Sequence, residues 1–172
     1  MSFEIYKEDF STRYEIRHAI SVIMNIYYND IGKLILVAPV SDHNINVLKV
    51  GNLLYDTSRN VTFVIENTKI DTTTNRITAN GYTANWLLNK RIIASEYHMT
   101  TIETGVYKLI SDNLRGMTRI QVAQATGMTD KTDNVFMGGN LLDEIIPFLE
   151  EKGIGHTMEW NPDDMTHTFR LY

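Results

Sequence analysis

The chain has 172 residues, a formal net charge of −5 and no cysteine, a length that fits one ordinary domain or two small ones. Its 43% hydrophobic and 22% charged content excludes wholesale disorder. The missing cysteines exclude disulfides and zinc–thiolate sites, and 16 scattered Lys and Arg argue against a main role in gripping nucleic acid through phosphates.

The opening residues carry Glu4, Lys7, Glu8 and Asp9 and no apolar signal-peptide core. No apolar stretch is long enough to cross a bilayer. A soluble protein made in a cytoplasm is expected, with no membrane partner.

Two textures meet near Ala94, which sets the expected domains at 1–94 and 95–172. In the first, Val22, Met24, Ile26 and Tyr28 alternate with Ile23, Asn25 and Tyr27, the period of a strand with both faces partly covered. Asn29-Asp30-Ile31-Gly32 supplies a turn, residues 33–37 return as the hairpin partner, and Pro39 ends it. A short helical turn over 41–48 follows, capped by Ser41 or Asp42 and closed by Gly51. Strands are expected over 53–56, 61–70 and 77–82, the second being rich in β-branched residues. Short strands at this spacing indicate a sandwich or a barrel. A short helix over 83–89, capped by Thr83, buries Trp86, Leu87 or Leu88.

The second half mixes helix and strand. Thr100-Thr101-Ile102-Glu103 has capping-box spacing, with Val106, Leu109 and Ile110 following at helical intervals and Gly116 past the end. Residues 120–125 fit strand or helix equally. Asn140 caps a helix to Lys152 with Leu141, Leu142, Ile145, Phe148 and Leu149 as its stripe, and Gly153 and Ile154 provide a Schellman ending. Pro147 inside it is expected to kink the helix. A hairpin closes the chain, with Asn161-Pro162-Asp163-Asp164 as its turn.

Chemistry-bearing sets are sparse. His156 and His167, with Glu159 near, offer one arrangement for a metal if the last hairpin makes them face each other, but surface histidines explain them more simply. Asp163-Asp164 suits a turn, and Glu150-Glu151 a solvated helix end. Gly138-Gly139 lacks every other element of a phosphate loop and reads as backbone freedom at a helix entry. No catalytic, metal or cofactor residue is assigned, so the chain is read as a non-enzyme without cofactors. Tyr27, Tyr28, Tyr55, Tyr82 and Trp86 fit a core and its rim, a protein interface or a sugar-stacking platform; with Arg91 they form the candidate interface set.

Several strings in order along the chain carry a resemblance. These are Arg13-Tyr14-Glu15 after an opening strand segment, Ile45-Asn46-Val47-Leu48-Lys49-Val50-Gly51-Asn52-Leu53-Leu54-Tyr55, and Val64-Ile65-Glu66. They continue with Gly81-Tyr82-Thr83-Ala84-Asn85-Trp86-Leu87-Leu88-Asn89-Lys90-Arg91-Ile92-Ile93, Gly138-Gly139-Asn140-Leu141-Leu142-Asp143-Glu144, and Lys152-Gly153-Ile154-Gly155. The chain resembles the tail-hub proteins of long-tailed phages, the class that includes the N-terminal regions of tail-associated lysins and is related to contractile-tail baseplate hubs. Members usually continue well past the position of Tyr172, and Pro147 departs from the pattern.

The resemblance implies an α+β chain: an antiparallel, tail-tube-like β-barrel domain followed by a small α/β domain. It implies a homotrimer in the virion tail that docks onto the tail tube and contacts distal-tail proteins. An acidic chain suits a conduit through which DNA slides without specific binding. The competing expectations are a host-surface carbohydrate- or protein-binding module and a cell-wall hydrolase fragment.

Overall fold

The computed structural model describes residues 3–8, 12–16 and 18–172; Asp9 of the acidic opening lies outside them. The chain divides into two compact units, Met1–Tyr27 with Ile31–Ala84, and Tyr28–Asp30 with Asn85–Tyr172.

The first unit is built on β1 (Phe3–Tyr6), β2 (Arg13–Glu15), β3 (Ser21–Asn25), β4 (Lys33–Pro39), β5 (Leu53–Asp56), β6 (Val61–Asp71) and β7 (Arg76–Thr83), with a short helix α1 (Asp42–Val47) between β4 and β5. The seven strands form one sheet in the order β2-β1-β5-β6-β7-β4-β3, every neighbouring pair antiparallel. In β4 the buried Leu34, Leu36 and Ala38 alternate with outward Lys33, Ile35 and Val37. They join Ile5, Leu54, Phe63, Ile65 and Ile77 in one cluster, where each fully buried Leu or Ile contributes about 1.5–3 kcal/mol. Tyr14 of β2 and Val22 and Met24 of β3 pack on the same cluster from opposite ends of the strand order, so the sheet curls around its core.

The expected barrel does not close. Closure requires β2 to pair with β3, and no such ladder exists among the described residues. β2 offers only three residues, and His18, at φ 58°, turns the chain between the two edges instead of extending either. The first hairpin also differs from the expectation of a strand reaching Tyr28. Its last rung is Asn25 opposite Lys33. Beyond it Gly32 passes so close that a β-carbon there would lie 2.5 Å from the Asn25 carbonyl oxygen, and the Gly32 amide donates to Thr83 Oγ1 at 3.0 Å. Thr83 is thereby engaged away from the following helix, which is a 3-10 helix over Ala84–Lys90 with Leu88 buried and Trp86 and Leu87 half-buried.

Ser41 is the cap of α1, accepting from the Asn44 amide at 3.1 Å. The buried Asn44 returns its own amide to the Pro39 carbonyl at 2.9 Å. Asp56 is a second buried polar anchor, taking Ser58 Oγ at 2.6 Å, the Ser58 amide at 3.0 Å and Arg59 Nη1 at 2.7 Å. Burial pushes its carboxyl up, and the Ser58 and Arg59 hydrogen bonds outweigh this and hold it below the usual range.

The second unit contains β8 (Tyr97–Thr101), α2 (Ile102–Asn113), β9 (Ile120–Val122), β10 (Lys131–Phe136), α3 (Leu141–Glu151), β11 (His156–Asn161) and β12 (Thr166–Leu171). β8 pairs with β10, and β9 lies parallel beside β12, whose other neighbour is β11. β8 and β10 were no part of the sequence expectation; β9 resolves residues 120–122 as strand.

Helix α3 follows its local signals closely. Asn140 Oδ1 accepts from the Leu142 and Asp143 amides at 2.9 and 3.3 Å. Gly153 sits at φ 68°, with Gly153 N donating to Glu150 O and Ile154 N to Leu149 O, both at 3.0 Å, the two bonds of a Schellman ending. Pro147 lies on the exposed side of the helix, and the helix runs through it. Gly138 and Gly139, at φ 90° and 91°, carry the chain into the cap while Ile93 N donates to Gly139 O at 2.9 Å.

The capping box is not formed. β8 runs to Thr101, which becomes the N-cap without a side-chain bond, and the first helical amide, Ile102 N, donates to Asp130 O at 3.0 Å. Glu103 instead reaches the loop of Thr126, Gly127 and Met128.

Candidate functional site

The outer face of the first unit's sheet is where its exposed apolar side chains gather. Ile23 of β3 and Ile35 of β4 are direct cross-strand partners, 52% and 41% exposed. Ile35 in turn faces Asn80 of β7, and Lys33 faces Tyr82. These residues with Asn25 line a shallow depression of about 320 Å³. Ile20, Ile26 and Tyr27 at the two ends of β3 are exposed as well. Single exposed apolar residues are ordinary; a row of them along a sheet edge makes this face the candidate interaction surface.

The six candidate interface residues fall in both units. Tyr27, Tyr55 and Tyr82 belong to the first unit and Tyr28, Trp86 and Arg91 to the second. Tyr27 is exposed beyond β3, and Tyr82 is half-buried on the outer face of β7. Tyr55 is buried and donates its hydroxyl to Asn60 Oδ1 at 3.0 Å; burial, with the nearby Glu4 and Asp56 charges, raises its phenol pKa. Tyr28 donates its hydroxyl to the Tyr172 carbonyl at 3.0 Å and sets its ring edge-on against Tyr172, centroids 5.2 Å apart. Its own carbonyl accepts from His156 N at 3.0 Å. Trp86 is half-buried within the 3-10 helix.

Arg91 works on α2. Its Nε donates to Leu114 O at 2.8 Å and Nη2 to Arg115 O at 3.2 Å, so the guanidinium serves carbonyls at the C-terminal end of the helix, where positive charge is favoured. Arg91→Ala is expected to lower stability by about 1–2 kcal/mol through those lost charged hydrogen bonds. Chemical denaturation of the variant checks this; an unchanged midpoint would contradict it.

The hairpin does not bring the two histidines face to face. His156 is registered with Leu171, and His167 with Trp160. Both lie on the buried face, whereas Glu159 on the opposite face holds Arg170 Nε at 3.0 Å. His156 stacks on Phe169 and contacts Asn85; His167 lies against Trp160 with centroids 4.6 Å apart. Burial pushes the His167 imidazole down to about 3. Among the described residues no group of three or more His, Asp or Glu is arranged to hold a metal ion, and no helix is long and apolar enough to cross a membrane.

One polar constellation was missed in the sequence. Glu103, fully buried in the first turn of α2, accepts four hydrogen bonds from the exposed loop between β9 and β10. Thr126 N and Oγ1 donate to Oε1 at 2.7 and 2.8 Å, and Gly127 N and Met128 N donate to Oε2, each at 2.9 Å. Burial pushes this carboxyl up, and the four bonds outweigh it and hold it below the usual carboxylate range. The group is saturated and faces a loop instead of a cleft, so it holds structure.

A family model described as siphovirus ReqiPepy6 Gp37-like protein matches residues 2–172. No curated protein sequence matches the chain. Among solved structures, prophage tail protein gp18 from Listeria monocytogenes EGD-e superposes with a TM-score of 0.69 at 13% identity, over 98% of this chain and 50% of that one. The tail protein from Neisseria meningitidis MC58 gives 0.61 at 13% identity, over 98% and 49%. The Escherichia coli c3393 protein, a type VI secretion component described as similar to bacteriophage T4 tail proteins gp27 and gp5, gives 0.51 at 12% identity, over 89% and 47%. At these identities the likeness is one of fold, and the chain spans about half the length of the structures it matches.

Proposed function

The chain belongs to the siphovirus ReqiPepy6 Gp37-like family, and from that membership we propose that it is a structural module of a phage or prophage tail tip or baseplate hub. Its work is geometric: it docks onto the tail tube and its distal-tail neighbours and anchors whatever follows it in the hub, as three copies around the tail axis. The observation that carries this reading is the curled seven-stranded sheet with an apolar outer edge, in a fold shared along nearly the whole of this chain with a prophage tail protein and a second tail protein. The side-chain chemistry fits such a role, because the two fully buried carboxylates among the described residues, Asp56 and Glu103, are consumed in holding turns and loops. The reading assigns the chain no catalytic step and no cofactor, and places it in the virion tail.

Deleting the gene from an inducible prophage tests this. Particles are expected without completed tails, and normal tails should return with the wild-type gene but not with Ile35→Glu, which places a charge in the centre of the apolar row. Normal tails in the deletion strain would overturn the proposal.

A further inference from the structure

Two exposed surfaces of the second unit carry opposite charges that nothing within the unit neutralises. In the first, two arginines cross. Arg91 Nη2 donates to Arg115 O at 3.2 Å, and Arg115 Nη2 donates to Ile92 O at 2.7 Å. Ile92, between them, is 58% exposed. Among the described residues neither guanidinium forms an ion pair, and the exposed Arg115 meets no acceptor besides the Ile92 carbonyl. Two like charges held side by side around an apolar residue favour an anionic partner. The remaining N–H groups of Arg115 suit a carboxylate in the two-pronged geometry that guanidinium prefers.

The second surface is the outer face of α3. Glu150 and Glu151 are exposed in its last turn, which holds no basic residue, so the helix dipole opposes both charges. Lys152 Nζ meets Glu151 at 2.8 Å, whereas Glu150 forms no ion pair among the described residues. Pro147, one turn earlier, lies on the same exposed stripe. An isoleucine between cations on one surface therefore matches a proline beside carboxylates on the other. They are apart within one copy: the Arg91 carbonyl accepts from Leu141 N at 2.9 Å at the start of α3, and Glu150 lies about 14 Å further along the helix at the standard rise.

We propose that the Arg91–Ile92–Arg115 surface of one copy docks onto the α3 outer face of the next copy. Arg115 pairs with Glu150 of the partner subunit, and Ile92 packs on Pro147 of the partner subunit. An apolar centre with charges of opposite sign around it sets both the orientation and the choice of partner. Because the contact joins two different patches, it runs head to tail and ends only when a ring closes. A ring of three is the arrangement proposed above for the hub, and this inference rests on that reading and names the surfaces that make it.

Charge exchange tests the contact. In analytical ultracentrifugation at micromolar concentration the wild-type chain is expected to sediment as a trimer. Arg115→Glu and Glu150→Arg are each expected to weaken the trimer roughly ten-fold or more while keeping the wild-type circular dichroism spectrum. The chain carrying both substitutions restores opposite charges at every contact, and its assembly is expected to return to within about three-fold of wild type. A trimer that neither single variant weakens, or single variants that the double does not rescue, would overturn this contact and leave the three-copy hub standing. A wild-type chain that stays monomeric would overturn the contact whatever tails the deletion strain makes.

Discussion

Glu103→Ala is expected to lower the unfolding free energy by about 3–5 kcal/mol, more than any other single side-chain truncation outside the apolar cores. Hydrogen bonds to a charged group are worth roughly 1.5–3 kcal/mol each when the partners are otherwise unsatisfied, and Glu103 receives four. The donors belong to an exposed loop, so water recovers part of the loss and the total falls well short of the sum. Glu103→Gln separates charge from shape. Each carboxylate oxygen accepts two bonds, so an amide nitrogen opposes two backbone donors in the place of Oε2 and one, Thr126 N, in the place of Oε1, where the Thr126 hydroxyl can turn to accept, and a loss of about 2–4 kcal/mol is expected. Denaturant unfolding gives the magnitudes. Hydrogen exchange is expected to show lost protection at Thr126, Gly127 and Met128 in both variants, and wild-type protection there would contradict the tether.

The second large effect is acid lability through His167. The group is fully buried with its folded pKa pushed down to about 3, against about 6.5 in an unfolded chain. Folding therefore excludes a proton that the unfolded chain binds. The stability this protects is fully present above about pH 6.5 and is lost as pH falls toward 3, at roughly 1.4 kcal/mol per pH unit. Between pH 6.5 and 5 the loss is about 2 kcal/mol. Burial pushes His156 down as well, partly opposed by a backbone hydrogen bond with Asn29 and the charge of Asp30, which adds to the same trend. His167→Phe keeps a ring against Trp160 and removes the titration. Any packing cost is the same at every pH, so the readout is the slope. Between pH 7 and 5 the wild type is expected to lose about 2 kcal/mol more unfolding free energy than His167→Phe; parallel curves would contradict the assignment.

What could be read in advance divides along the range of the forces involved. Helix α3 was legible because its two ends are set by chemistry within a few residues, the Asn140 side chain on the Leu142 amide and the left-handed Gly153. The hairpin β11–β12 was legible for the same reason: Asn161 Oδ1 accepts from Asp163 N at 3.0 Å inside its own turn. Glu103 failed as a capping box because its partners lie more than 20 residues away in the loop, beyond any local pattern. β8 and β10 escaped notice since Lys131 to Phe136 is a mostly polar, half-exposed strand that pairs with one lying before an intervening helix. Sheet closure was decided at β2 and His18, where three residues and one left-handed angle leave the edges apart. The apolar row depends on the register of Ile23 with Ile35, which the hairpin alone fixes. The surroundings of the aromatic residues were not legible, because the hydroxyl partners of Tyr55 and Tyr28, Asn60 and the Tyr172 carbonyl, are set by tertiary packing.

Position in the particle tests the hub assignment most directly. Gold-labelled antibody against the chain, applied to purified intact particles and imaged by electron microscopy, is predicted to mark the tip of the tail at the end of the tube. Label confined to heads, or particles with complete tails that carry no label and yield no peptide of this chain by mass spectrometry, would contradict it.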